Sequence, residues 1–308
     1  LNLHIARVAR LNYFIYPDEA IFEILAKIFY TLISLQEWKS TAVESLNTLF
    51  EKDEAERLVR FLCEDLSVTA NNWSENLHRT VDSALAKLLE GQPLAYVTGK
   101  AWFYGLELKV SPAVLIPRPE TEELVELIIQ NTAPFNKPIE ALDIGTGSGC
   151  IALALKKHIP IANITGVDKS SAALEIASIN AKQLGLDLKW ELCDFLNPLR
   201  RDSLKGSWDI IVSNPPYIPM SEVEQMGESV VKFEPHMALF TNDQDGMEFY
   251  RAIALFGMEK LTPNGHVYLE LNEFRAAETA AIFTQQGFQA EIIHDLSGKK
   301  RMLKASFN

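Results

Sequence analysis

Asp143-Ile144-Gly145-Thr146-Gly147-Ser148-Gly149 is the stretch whose reading decides the fold. It closes an apolar run from Ile139 that reads as a strand. It opens onto Ile151 to Lys157, which reads as a helix. Glycines at such a turn let a ligand approach the backbone where a Cβ would clash. The free N–H groups of the following helix favour a carboxylate or phosphate. The spacing is GxGxG and not the GxGxxG of dinucleotide folds, and no lysine follows as in a P-loop. A glycine-rich turn after a strand is often only a tight turn, so the reading depends on what surrounds it.

Downstream, strand-like and helical pieces alternate. Strands are predicted at Ile164 to Val167, Leu188 to Leu192, Asp209 to Ser213 and His266 to Leu271. Helices are predicted between them, notably Ser171 to Leu184 and Gly246 to Leu261. This alternation implies an α/β fold, a parallel sheet covered by helices on both faces. Phe288 to His294 and Arg301 to Phe307, joined by a turn at Gly298, read as an antiparallel pair at the sheet edge. The second strand ends at Asp168, 23 residues after Gly145, a distance at which a carboxylate can accept both hydroxyl protons of a ribose. The third ends at Asp194-Phe195, an acceptor for an adenine amino group and a face for its ring. An Asp at a strand end is often only a helix cap. Three acidic strand ends around a glycine loop, at the carboxyl edge where open α/β sheets hold ligands, point instead to a nucleoside pocket.

The fourth strand runs into Asn214-Pro215-Pro216-Tyr217-Ile218-Pro219, the most specific signal in the chain. A planar amide or aromatic amine is a weak nucleophile because its lone pair is delocalised. Its N–H groups need acceptors that hold the nitrogen in line with an electrophilic methyl. Asn214 offers a side-chain carbonyl, and Pro215 a backbone carbonyl whose direction two prolines restrict. Tyr217 offers a flat face. Positioning of this kind makes a poor bimolecular reaction feasible without a strong base. The competing reading is a Pro-Pro turn with an Asn cap. The position, a fourth strand end beside the glycine loop, favours the chemical one.

Upstream of the glycine loop the character changes. Residues 17–90 read as helices, with Val81, Leu85, Leu88 and Leu89 on one stripe that Gly91 and Pro93 terminate. Tyr96, Val97, Trp102 to Tyr104, Leu106, Leu108 and Val110 are β-formers punctuated by Gly99 and Gly105, and predict a hairpin linking two domains. The boundaries expected are 1–92 for a helical, partner-binding domain, 93–112 for the hairpin and 113–308 for the catalytic domain. Pro119 suits the first turn of a helix running to about Gln130.

The bulk numbers narrow the function classes. At 308 residues, one large and one small domain are expected. A net charge of −12 argues against a general nucleic-acid binder, which needs clustered Lys and Arg. Ile21 to Leu35 is apolar but carries Glu23 and Lys27, so a core helix is expected there and no membrane span. No basic start precedes a short apolar region, so no secretory signal is expected. The chain begins at Leu1 and not Met, so a few further residues are expected before it. Cys63, Cys150 and Cys193 are too scattered for a disulfide framework, and the six histidines lack ligand spacing. We expect a reducing, cytoplasmic compartment, no metal and a monomer.

Asp143 to Gly149 with Asn214 to Tyr217 resembles the amino-methyltransferases of the Rossmann-like class, which include adenine N6 and glutamine N5 enzymes. Gly91 to Gly99, Phe103-Tyr104-Gly105, Leu115 to Glu122, Phe233-Glu234-Pro235 with Ala238-Leu239, and Asp295 to Arg301 resemble the HemK/PrmC release factor glutamine methyltransferases. The likeness runs from about residue 80 to the C-terminus. It implies a class I S-adenosylmethionine-dependent methyltransferase with a small helical domain and a linking hairpin. It also implies the Gly-Gly-Gln loop of class 1 release factors as acceptor and S-adenosylhomocysteine as product. Carried over by position, Gly145, Thr146, Gly147, Ser148, Gly149, Asp168, Asp194, Phe195 and Asn214 hold S-adenosylmethionine. Asn214, Pro215, Pro216 and Tyr217 hold the glutamine amide, with Arg118 and Glu120 shaping the site near the methionine end. Phe195 stands where some members carry tryptophan, and Thr241 to Asp245 replaces a glycine-richer stretch. The nearest rivals are a ribosomal-protein glutamine methyltransferase with the same site chemistry and a nucleic-acid adenine methyltransferase. The latter needs a basic face and a base-flipping pocket. A pure binding module would not need Asn-Pro-Pro-Tyr intact.

Overall fold

The structure, a computed structural model, describes residues 33–132 and 138–307. The helical reading of residues 17–32, including most of Ile21 to Leu35, lies outside them. The chain divides into two compact units at Gly99 and Lys100.

In the first unit, helices α1 (Leu35–Leu46), α2 (Lys52–Asp65) and α3 (Glu75–Leu89) pack around Trp38, Leu46, Leu62, Val81, Leu85 and Leu88. A capping box starts α1: the Glu37 N–H donates to Ser34 Oγ at 3.2 Å, and the Ser34 N–H donates to Glu37 Oε2 at 2.9 Å. Trp38 Nε1 donates to Asp82 at 2.7 Å, so the indole is buried without losing its hydrogen bond. A fourth helix, α4 (Leu94–Thr98), stands where β-formers predicted the start of the hairpin. Leu94 and Val97, three residues apart, both pack onto the helical core. Burial of that face overrides the intrinsic preference of Tyr96 and Val97, and Pro93 supplies a rigid entry.

The second unit opens with the hairpin β1 (Lys100–Phe103) and β2 (Leu106–Lys109). Its two turn residues, Tyr104 and Gly105, both have positive φ, as a type I′ turn demands. The hairpin is therefore shorter than residues 93–112. Phe103, Leu106 and Leu108 join the core formed with α5 (Pro119–Thr132), whose inner face is Leu124, Val125 and Ile128.

The alternating region follows as β3 (Ile139–Ile144), α6 (Cys150–His158), β4 (Ala162–Asp168), α7 (Ser171–Leu184), β5 (Lys189–Leu192), α8 (Pro198–Arg201) and β6 (Trp208–Ser213). A short parallel pair, β7 (Ile218–Pro219) and β8 (Phe240–Thr241), flanks α9 (Glu228–Phe233) and α10 (His236–Leu239). Then come α11 (Glu248–Lys260), β9 (Leu261–Glu270), α12 (Ala276–Gln285), β10 (Gln289–His294) and β11 (Lys300–Ser306). The seven-stranded sheet has the order β10-β11-β9-β6-β3-β4-β5. The five strands from β9 to β5 are parallel, and β11 runs antiparallel to both β9 and β10. The α/β class and the antiparallel edge pair agree with the sequence reading.

Two apolar cores lie on this sheet. One gathers Leu142, Ile144, Tyr250, Ile253 and Phe256; the other Ala141, Ile151, Leu153, Ile164 and Val212. From β3 the chain first builds outward through β4 and β5, then returns to place β6 and β9 on the opposite side. The connections therefore diverge between β3 and β6, which opens a crevice at their carboxyl ends. Among the described residues no helix is long and apolar enough to cross a membrane. The three cysteines are free thiols.

Candidate active site

The crevice is built from strand ends. β3 delivers the glycine loop, β4 delivers Asp168 and β6 delivers Asn214. The N–H groups of Gly145 and Thr146 donate to the Val167 carbonyl at 2.9 and 3.0 Å, pinning the loop to β4. Asp168 closes the arrangement. Its Oδ2 accepts from the Gly147 N–H at 3.0 Å and its Oδ1 from the Ser170 N–H at 2.9 Å. Burial raises its pKa, and those two N–H groups oppose the rise. One amide per oxygen leaves each oxygen with accepting capacity.

A cavity of about 670 Å³ opens here, lined by Gly145, Gly147, Asp168, Asp194, Phe195 and Asn214 among others. Its remaining wall includes Leu115, and also Ala113, Val114, Met237 and Phe249, which no motif marked. Thr146, Ser148 and Gly149 do not line it. The Thr146 hydroxyl donates to Asp143 Oδ2 at 2.6 Å, Ser148 is buried, and Gly149 faces Trp190, Ala177 and Leu153. These three shape the loop from behind. Asp143 itself is fully buried, and burial pushes its carboxyl up to about 7 against the pull of the Thr146 hydroxyl.

A second cavity, of about 550 Å³, is lined by Arg118, Asn214, Pro215, Pro216, Tyr217 and Glu270, with apolar walls from Val230 and Leu239. The two cavities share Leu115, Asn214, Pro216 and Ala238. Arg118 lines the second cavity and not the first. Its guanidinium donates to Glu234 Oε1 at 2.6 Å, and the Glu234 side chain is only 1% exposed. This ion pair joins the Pro117 to Glu122 segment to Phe233-Glu234-Pro235. Glu120 is exposed and lines neither cavity.

Sequence reasoning missed Glu270, at the end of β9. Burial raises its carboxyl to about 7, opposed by the hydrogen bond from Thr121. The only available signal was its place, an acid at the carboxyl end of an apolar strand, as at Asp168. Tyr217 is raised above the usual phenol range by burial and by the Glu270 charge, so it stays protonated. The loop with Asp243 and Asp245, whose role the residues left open, is a clamp. Asp243 accepts from the N–H groups of Gly246 and Met247, both at 3.0 Å, and Arg251 pairs with both carboxylates.

Known proteins resemble this chain over most of its length. Residues 121–233 match the Methyltransferase small domain family. A release factor glutamine methyltransferase of Flavobacterium psychrophilum is 34% identical over 89% of this chain and 99% of its own. That of Bacteroides thetaiotaomicron is 36% identical over 85% of this chain and 96% of its own. A solved protein-(glutamine-N5) methyltransferase, release factor-specific, from Alicyclobacillus acidocaldarius is 30% identical, covering 65% of this chain and 99% of that one with a TM-score of 0.40. An identity sustained over nearly the full length of such relatives shows that the chain belongs to the release factor glutamine methyltransferase family.

Proposed function

We propose that this chain transfers the methyl group of S-adenosylmethionine to the N5 amide nitrogen of the glutamine in the Gly-Gly-Gln loop of class 1 release factors. The observation that carries the reading is the shared wall of the two cavities. Asn214 and Pro216 border both, so a group held in one meets a group held in the other across the Asn-Pro-Pro-Tyr segment.

The first cavity fits a nucleoside with a charged tail. Asp168 keeps accepting capacity for two ribose hydroxyls, and Gly145 and Gly147 present bare backbone. Phe195 and Phe249 offer apolar walls for the adenine, with Asp194 at the rim. When bound, S-adenosylmethionine supplies an electrophilic methyl carbon on a sulfonium.

In the second cavity, the Asn214 side-chain oxygen and the Pro215 carbonyl accept the two amide protons of the glutamine. The Tyr217 ring lies along the carboxamide plane. These contacts hold the nitrogen in line with the methyl carbon, a gain in effective concentration and not in basicity. The amide proton leaves after the nitrogen has become cationic, so no residue need remove it first.

The names of the relatives support a release factor over a ribosomal protein as acceptor. The test is transfer of labelled methyl to a release factor, to a glutamine-bearing ribosomal protein and to DNA. We expect one added methyl on the release factor glutamine by peptide mass, and none when that glutamine is replaced. Preferential labelling of the ribosomal protein or of DNA would overturn the assignment.

A further inference from the structure

Beneath Asn214 and Tyr217 lies a buried polar cluster that spans the unit. Thr121, from the first turn of α5, is 2% exposed, and Glu270, from the end of β9, is 3% exposed. The Thr121 hydroxyl donates to Glu270 Oε2 at 2.5 Å. Asn214 Nδ2 donates to Thr121 Oγ1 at 3.1 Å. The Tyr217 hydroxyl reaches Glu270 Oε1 at 3.5 Å, and the Tyr250 hydroxyl donates to the Glu270 backbone carbonyl at 3.0 Å. One carboxylate therefore holds both ends of the Asn-Pro-Pro-Tyr segment, one directly and one through a threonine.

The order of donors carries a consequence. A threonine hydroxyl has a single proton. With that proton committed to Glu270, Thr121 can only accept. The group it accepts from must be the nitrogen of the Asn214 carboxamide, never its oxygen. We propose that Thr121 and Glu270 are positioning residues for methyl transfer: Glu270 holds the Thr121 proton, Thr121 holds the Asn214 nitrogen, and the Asn214 oxygen is thereby committed to the acceptor amide. This rests on the acceptor role assigned to Asn214 above. Without the relay the carboxamide is free to present its NH₂ group, which repels an incoming N–H donor.

Two variants of one residue separate orientation from packing. Thr121→Val keeps the shape and loses the hydroxyl. Thr121→Ser keeps the hydroxyl and loses a methyl group. We expect kcat of Thr121→Val to fall about tenfold or more, the scale of one directing hydrogen bond, with cofactor affinity by binding titration unchanged. Thr121→Ser should stay within about threefold of the parent. Equal losses in both variants would assign Thr121 to packing, and a parental kcat in Thr121→Val would remove the relay altogether.

A second readout needs no acceptor. With asparagine side chains labelled with ¹⁵N, the Asn214 amide resonances are identified by their loss in Asn214→Asp. They should shift, and exchange faster with water, in Thr121→Val but not in Thr121→Ser. An unmoved Asn214 amide in Thr121→Val overturns the relay. Failure of the parent enzyme to methylate a release factor would instead overturn the function, and the amide signal would still judge the relay.

Discussion

Gly246 tests how tightly the acceptor segment is held. Its φ is +70°, and a Cβ built on it would lie 2.6 Å from the Tyr217 carbonyl oxygen and 3.3 Å from Pro219 Cδ. Gly246→Ala therefore carries two penalties. The left-handed backbone costs an L residue about 1–2 kcal/mol. The overlap is with backbone, which cannot swing aside, so the Tyr217 carbonyl must retreat by roughly 0.5–0.8 Å to restore van der Waals contact. Asp243 ties the Gly246 and Met247 N–H groups at 3.0 Å, so the glycine side cannot yield instead. Together the two effects amount to about 2–3 kcal/mol, or roughly 4–12 °C in Tm for a unit of this size. Displacement of Tyr217 on that scale should lower kcat about 10- to 100-fold. Cofactor affinity should hold, because neither Gly246 nor Tyr217 lines the first cavity. Gly287→Ala is the control: its φ is +88° but nothing lies within 4 Å of the added Cβ. It should lose about 1–2 kcal/mol and no activity. Thermal unfolding, cofactor titration and methyl-transfer rates on the three proteins decide the matter. If Gly246→Ala matches the control in both Tm and kcat, or loses cofactor affinity in step with kcat, the reasoning is wrong.

Asn214→Ala should lower kcat by about a hundredfold or more while cofactor binding survives, since a positioned group at the reacting centre is lost. Single-turnover rates near the parental value would sink its acceptor role. Asp168→Ala should raise the cofactor KM more than it lowers kcat; an unchanged affinity by calorimetry would refute the ribose assignment. Activity and stability should respond oppositely to pH through Glu270. A neutral Glu270 can donate to Thr121 and release the Thr121 proton toward Asn214, so log kcat should rise with pH through about 7. The groups acting on this carboxyl are Thr121, Tyr217, Glu120, Arg301 and Cys150, with Tyr250 on its backbone carbonyl. In the unfolded chain the same carboxyl titrates at its ordinary value of 4.5, and Asp143 at 3.8 against about 7 in the fold. The fold thus binds more protons than the unfolded chain across that window, and stability falls as pH rises through it, by roughly 3 kcal/mol for Glu270 alone. Glu270→Gln should flatten its share of both slopes; a pH–rate profile identical to the parent's would exclude Glu270 as the titrating group.

Much of this protein is written locally. Ile139 to Ile144 is a strand because Ile139, Ala141, Leu142 and Ile144 are buried between neighbours on both sides. The glycine loop, Asp168 and the Asn-Pro-Pro-Tyr segment are legible because each is a strand-end feature. Strand ends of one parallel sheet necessarily share an edge, so their convergence follows from periodicity and chain order. Local reading misplaced the start of the hairpin, because the packing of Leu94 and Val97 on the helices outweighs their neighbours' β-preference. It could not see that Thr146, Ser148 and Gly149 support the first cavity from behind, since a turn's inward and outward faces depend on what packs against it. Nor could it pair Arg118 with Glu234, 116 residues away, or Thr121 with Glu270, 149 residues away. By itself, then, the sequence determined which strand ends carry the residues on which the proposed chemistry rests. Only the tertiary structure decided that the Asn214 nitrogen faces Thr121, because that contact depends on a hydroxyl and a carboxylate that burial brings together from positions 149 residues apart.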